Sequence, residues 1–143
     1  MSSRRAGFSL IDVLIAIALM GVLAAIALPT YREQFARARR SDLQTALLDD
    51  AAYLQRYYAA NNAFSGSPPP QLPAPVSPRA GLPAYAIGVA VPPDDPTSFV
   101  LTATRTGAMR GDRCGDFTYD NLARRGLVPG TFAAGLVPEA CWR

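Results

Sequence analysis

Two thiols, three evenly spaced carboxylates and one carboxylate set in an apolar run are the groups in this 143-residue sequence with chemistry to offer. The thiols are Cys114 and Cys141, and the carboxylates are Asp112, Asp116, Asp120 and Asp12. Histidine is absent, so the side chain that titrates near neutrality and most often serves as general base or zinc ligand is missing. The cysteines form no C-x-x-C pair, and two thiols alone do not complete a four-ligand zinc site. A single disulfide is their remaining economical use. Asp112, Asp116 and Asp120 lie four apart, which fits no D-x-D-x-D-G calcium loop, so they read as turn and strand-end acids. No nucleophile and base pair is visible. The expectation is a protein that is not an enzyme and takes no cofactor.

Charge adds little on its own. The 14 basic residues are all arginine, against 11 acids, and a net charge of +3 is too small to imply nucleic acid. A DNA-binding reading would need an exposed stripe formed by Arg105, Arg110, Arg113, Arg124 and Arg125. The run Arg37-Ala38-Arg39-Arg40 reads as a solvated face, with acidic lipid heads or acids of adjacent subunits as other uses.

The elements that hold these groups begin with Phe8 to Leu28, 21 residues whose one ionisable group is Asp12. As a helix this run extends roughly 32 Å, about the bilayer hydrocarbon thickness. A secretory signal peptide competes, because Ala25-Ile26-Ala27 has small-x-small spacing, but the run exceeds the usual h-region and carries a carboxylate near its start. An aspartate there costs on the order of 2.5–3.5 kcal/mol, so a partner or a function is expected with it. Orientation stays open: Arg32, Arg37, Arg39 and Arg40 downstream outnumber Arg4 and Arg5 upstream, which favours a cytoplasmic domain, whereas a disulfide favours an oxidising compartment.

The segment Arg4-Arg5-Ala6-Gly7-Phe8-Ser9-Leu10-Ile11-Asp12-Val13-Leu14-Ile15-Ala16, followed by Gly21 and Pro29, resembles the amino terminus of bacterial type IV prepilins. The resemblance implies a leader over residues 1–7, cut after Gly7 by a prepilin peptidase that then methylates Phe8. It also implies an assembly role for Asp12, whose carboxylate would attract the amine of a neighbouring Phe8 in an apolar bundle. The family usually has glutamate there, and aspartate loses one methylene of reach. Pro29 lacks an N–H and crowds the carbonyl of Ala25, so the helix is expected to kink between Gly21 and Pro29.

By residue pattern, 8–28 is the transmembrane segment, which the resemblance makes the assembly segment as well, and 29–62 is the amphipathic half of one long helix. Its stripe is Leu43, Leu47, Ala51, Leu54 and Tyr58, continued upstream by Tyr31, Phe35 and Ala38. Residues 63–83 form a loop with no regular element, since seven prolines fall within residues 65–83. Residues 84–143 hold an antiparallel sheet, with strands marked by Tyr85-Ile87-Val89-Val91, Phe99-Leu101-Ala103 and Phe117-Tyr119. The expected class is α+β, a long helix packed on a sheet, with Cys114 and Cys141 closing a carboxyl-terminal loop as such pilins commonly do.

The resemblance implies a minor type IV pilin, PilE-like in its helix and at its cysteines. Such a subunit serves in pilus assembly or priming and hence in adhesion, twitching motility or DNA uptake. A pseudopilin of type II secretion and a DNA-receptor pilin are the alternatives. Implied partners are major and minor pilin subunits, the peptidase, the inner-membrane assembly platform and the bilayer, with nucleic acid a further candidate. The implied location is the inner membrane with a periplasmic domain, and the extracellular pilus after assembly.

Overall fold

A computed structural model describes residues 9–143. The expected cleavage and methylation positions, Gly7 and Phe8, lie outside these residues. Two compact units divide the chain, the first ending at Phe35 and the second spanning Ala36–Arg143. One α-helix, α1 (Leu10–Asn61), 52 residues long, contributes to both. It closes at Asn62, whose φ of 56° is the left-handed conformation that asparagine adopts more readily than most residues.

In the first unit the apolar side chains have no protein to cover them. Leu10, Leu14, Met20, Leu23 and Leu28 are all more than half exposed. This part of α1 is long and apolar enough to cross a membrane, with a mean hydropathy of 2.7 over its best window. The helix assignment continues through position 29 without a break.

The second unit is an α+β layer pair. Five antiparallel strands lie in sequence order: β1 (Val76–Ser77), β2 (Tyr85–Ala90), β3 (Val100–Arg105), β4 (Phe117–Asp120) and β5 (Arg125–Leu127). Each inner strand alternates buried and exposed positions, so Tyr85, Ile87, Leu101, Ala103, Phe117 and Tyr119 form the core face of the sheet. Leu43, Ala46, Leu47, Ala51 and Leu54 of α1 supply the opposing layer. Tyr58 is half-buried and stacks at 4.7 Å on Phe64, which meets Phe99 edge-on at the same distance. The upstream continuation of the stripe is not buried: Tyr31, Phe35 and Ala38 are exposed.

Two strands depart from the sequence expectation. β1 lies inside the proline-rich 63–83 segment, which was expected to hold no regular element. Proline cannot donate to a ladder but still accepts, and the Pro75 carbonyl takes the Ile87 N–H at 2.8 Å while Ser77 O takes Ala84 N–H at 2.8 Å. β5 is only three residues, Arg-Gly-Leu, too short to show alternation. Its edge is covered by the carboxyl terminus, where Trp142 Nε1 donates to Gly126 O at 3.2 Å.

Candidate functional site

Asp12 sits in the first turn of α1, three residues after Ser9. Its Oδ2 accepts the Ser9 backbone N–H at 3.0 Å, while the Ser9 carbonyl accepts the Asp12 N–H at 3.0 Å. This is the back half of a capping box, in which the residue at the third helical position satisfies the amide that opens the helix. The carboxylate therefore has an acceptor role inside its own chain. Among the described residues the second oxygen, Oδ1, takes no hydrogen bond. The resemblance pointed only outward, to a neighbouring amine; the S-x-x-D spacing was the available signal for the inward contact.

In the second unit, each of the three evenly spaced acids takes an arginine. Arg40 Nε donates to Asp112 Oδ2 at 2.9 Å and its Nη2 to Oδ1 at 2.5 Å, a two-pronged pair with side chains only 5% and 4% exposed. The Tyr85 hydroxyl stands 3.4 Å from the same carboxylate. Arg105 Nε donates to Asp116 Oδ1 at 2.9 Å, and its Nη1 to the Asp112 carbonyl at 2.7 Å. Arg124 Nε donates to Asp120 Oδ2 at 2.6 Å. Burial acts to raise the Asp120 carboxyl, but the backbone N–H and guanidinium of Arg124 and the Leu122 N–H outweigh it and hold it below its ordinary value.

These pairings correct two expectations about arginine. Arg40 is not part of a solvated face: only Arg37 of that run is well exposed, and Arg39 is half-buried with Asp42 at 3.8 Å. Arg105 does not join an exposed stripe, because its guanidinium is spent on Asp116 and the Asp112 carbonyl. Arg110, Arg113, Arg124 and Arg125 are exposed. Arg125 lies over the Trp142 ring at 5.6 Å, and both Arg124 and Arg125 border a shallow cleft of about 240 Å³ with Thr118 and Tyr119.

Cys114 and Cys141 are bonded, and the loop they close carries β4, β5 and the turns after them. Gly115, at φ 74°, allows the chain beside the bridge to approach the 131–132 backbone; a Cβ there would stand 2.7 Å from Thr131 C and 2.8 Å from Phe132 N. Asp116 N–H then donates to Thr131 Oγ1 at 2.9 Å. Trp142 packs edge-on against Phe117 at 5.2 Å.

One titratable group escaped the sequence reading. Asp50 falls within the apolar stripe of α1 and is fully buried, with Oδ1 accepting the Ala74 N–H at 2.8 Å and Oδ2 without a partner. Burial pushes its carboxyl from the ordinary 3.8 up to about 6, against the Ala74 hydrogen bond and the Arg79 charge, which lower it. The folded state thus binds this proton more tightly than the unfolded chain. The ionised form is penalised above pH 6, by on the order of 2–3 kcal/mol, and the penalty is relieved as pH falls toward 4. The melting temperature of the full chain in detergent should rise between pH 7.5 and 5. Asp50→Asn should flatten that rise; an equal pH slope in the variant would assign it elsewhere.

Comparison with known proteins gives two family matches. Residues 29–118 match the family described as "Type IV minor pilin ComP, DNA uptake sequence receptor", and residues 2–28 match the prokaryotic N-terminal methylation motif. Among curated proteins, the chain is 31% identical over 90 residues to the type IV major pilin protein PilE1 of Neisseria gonorrhoeae, covering 63% of this chain and 42% of that one. It is 38% identical over 66 residues to the fimbrial protein EcpC of Eikenella corrodens, covering 42% and 43%. The chain spans about two fifths of the length of the curated relatives it matches. Among solved structures it is similar to a type IV pilin from Shewanella oneidensis, at 23% identity and TM-score 0.49, covering 68% of this chain and 98% of that one. A second is the minor pilin PilV of Neisseria meningitidis, at 16% and 0.47, covering 71% and 96%.

Proposed function

This chain belongs to the type IV minor pilin family, and from that premise we propose that it is a pilus subunit whose exposed arginines take up DNA. The observation that carries the reading is the family match over residues 29–118 together with exposed Arg110, Arg113, Arg124 and Arg125 in that unit. The guanidinium groups of Arg110 and Arg113 have no hydrogen-bond or ion-pair partner among the described residues, so phosphate contacts there cost no internal side-chain bond. Arg125, held over Trp142, offers a planar guanidinium whose direction is already set. Arg124 shares itself with Asp120, which makes it the weakest of the four for phosphate.

Phosphate contacts release counterions, so affinity for a short DNA duplex should fall with salt with a log–log slope of about −3 to −4 for four arginines. Arg110→Ala with Arg113→Ala should reduce that slope by about 2. A slope near zero in the parent chain would refute the DNA reading and leave the assembly role in place.

The membrane and filament parts of the reading rest on the apolar first unit and the methylation-motif match over residues 2–28. The apolar side chains left bare in the first unit gain cover from lipid before assembly and from other pilins after it. We further infer a leader over 1–7, cleavage by a prepilin peptidase after Gly7 and methylation of Phe8, leaving 143 − 7 = 136 residues. Intact mass of the filament-borne chain tests this: a mass that retains Met1 to Gly7 would exclude it. On the same reading the second unit lies in the periplasm before assembly, the assembly platform extracts the chain, and Asp12 Oδ1 receives the neighbouring amine. Loosening of the helix between Gly21 and Pro29 would ease that packing, since Pro29 brings no N–H to its turn.

A further inference from the structure

A cleft of about 280 Å³ opens between α1 and the edge strand β1, and no part of the function above uses it. From α1 it is lined by Asp42, Thr45 and Asp49, spaced three and four apart and therefore on one face of the helix. Ser77 and Arg79 line it from β1 and the residues after it.

Its polar groups are unevenly satisfied. Asp49 Oδ2 accepts from Arg79 at 2.8 Å, but both side chains are half exposed, a geometry that contributes little by itself. Among the described residues Asp42 has only Arg39 at 3.8 Å, beyond hydrogen-bond reach, and is itself half exposed. Thr45 donates its hydroxyl to Ser41 O at 3.3 Å, leaving its oxygen lone pairs toward solvent. Ser77 is the telling member. It is 1% exposed, it lines the cleft, and its hydroxyl has no hydrogen-bond partner. A buried hydroxyl left unpaired costs on the order of 1–3 kcal/mol, so an occupant that pairs it gains that much.

Acceptors outnumber donors here, and two carboxylates face one arginine. A cation with several diverging N–H groups satisfies such a set, which is what a guanidinium or ammonium offers. Among the described residues no three Asp, Glu or Cys side chains converge as a metal set, so the donor chemistry favours an organic cation. We propose that this cleft receives an arginine or lysine side chain of a neighbouring pilin subunit. The proposal rests on the pilus reading, because only assembly brings such a chain close. A contact between a cleft on one subunit and a basic side chain on a different surface of the next is heterologous, and heterologous contacts that do not close propagate as helical filaments.

The test uses the full chain in piliated cells with Thr45 replaced by the photo-crosslinker p-benzoylphenylalanine. Illumination should join it to another pilin subunit, at a peptide containing arginine or lysine. Separately, Asp42→Asn and Ser77→Ala should each lower the amount recovered in sheared pili, by about tenfold for the charge, the order expected for a charge-assisted hydrogen bond. Ser77→Ala should melt at or above the parent temperature, so its loss from pili would not be a folding defect. Crosslinks confined to the chain itself or to a peptide without basic residues would overturn the proposal, as would full recovery of both variants. A rise in melting temperature on adding calcium chloride, abolished by Asp42→Asn, would assign the cleft to a divalent cation instead. Absence of the unaltered chain from sheared pili would overturn the pilus reading and this proposal together, whereas normal recovery of parent and variants would overturn this one alone.

Discussion

Arg40→Ala is expected to lower the melting temperature of the full chain in detergent by about 12–20 °C. The guanidinium and the Asp112 carboxylate are both nearly water-free and meet through two bonds. Removing the arginine leaves a buried carboxylate with only the Tyr85 hydroxyl at 3.4 Å, and breaking a buried pair from one side costs about 3–5 kcal/mol. At roughly 4 °C per kcal/mol for a unit of this size, that is the stated shift. The whole pair is another matter. Replacing it by apolar groups of like volume, Arg40→Met with Asp112→Leu, should restore most of the loss, because desolvation of two charges nearly offsets their attraction. A fall of less than about 3 °C in the single variant would mean that water reaches the pair. What the pair supplies beyond energy is register: it ties one turn of α1 to the turn that precedes Cys114, 72 residues later.

The second large effect is expected at the bridge itself. Cys114→Ser with Cys141→Ser should lower the melting temperature by about 14 °C, since the open form regains the freedom of a 28-residue loop, worth about 3.5 kcal/mol on the chain-entropy account. The fold of that loop should persist, because Trp142 keeps its contacts with Phe117 and the Gly126 carbonyl. Reductant should bring the parent chain down to the same temperature and leave the variant unmoved. A parent chain indifferent to reductant would remove the stabilising role of the bridge. DNA affinity, by contrast, should change little, as Arg110, Arg113 and Arg124 hold their places through other contacts or none.

The amino-acid order alone determined whatever depends on near neighbours. A 21-residue apolar run followed by a 3.6-period stripe specifies one long helix, observed as Leu10–Asn61, since each turn is decided by residues three and four apart. Alternation marked β2, β3 and β4 for the same reason, and Arg4, Arg5, Gly7, Phe8 and Asp12 fall in a motif read in a single window, matched over residues 2–28. The α+β class followed from putting stripe and strands together.

Tertiary structure decided everything that joins distant positions. Within one basic run, Arg40 is buried against Asp112, which lies 72 residues away, and Arg37 is exposed. Arg105 left the exposed set because Asp116 lies beside it across a turn. The proline-rich segment became an edge strand because Ile87 of β2 and Ala84 just before it offered N–H groups to its carbonyls. Asp50 acquired its raised affinity for a proton from a loop that folds back 24 residues later to cover it. A charge on a helix is read from its own turn as a solvated group; what it faces is fixed by the chain that packs on it, and that chain is far away in sequence.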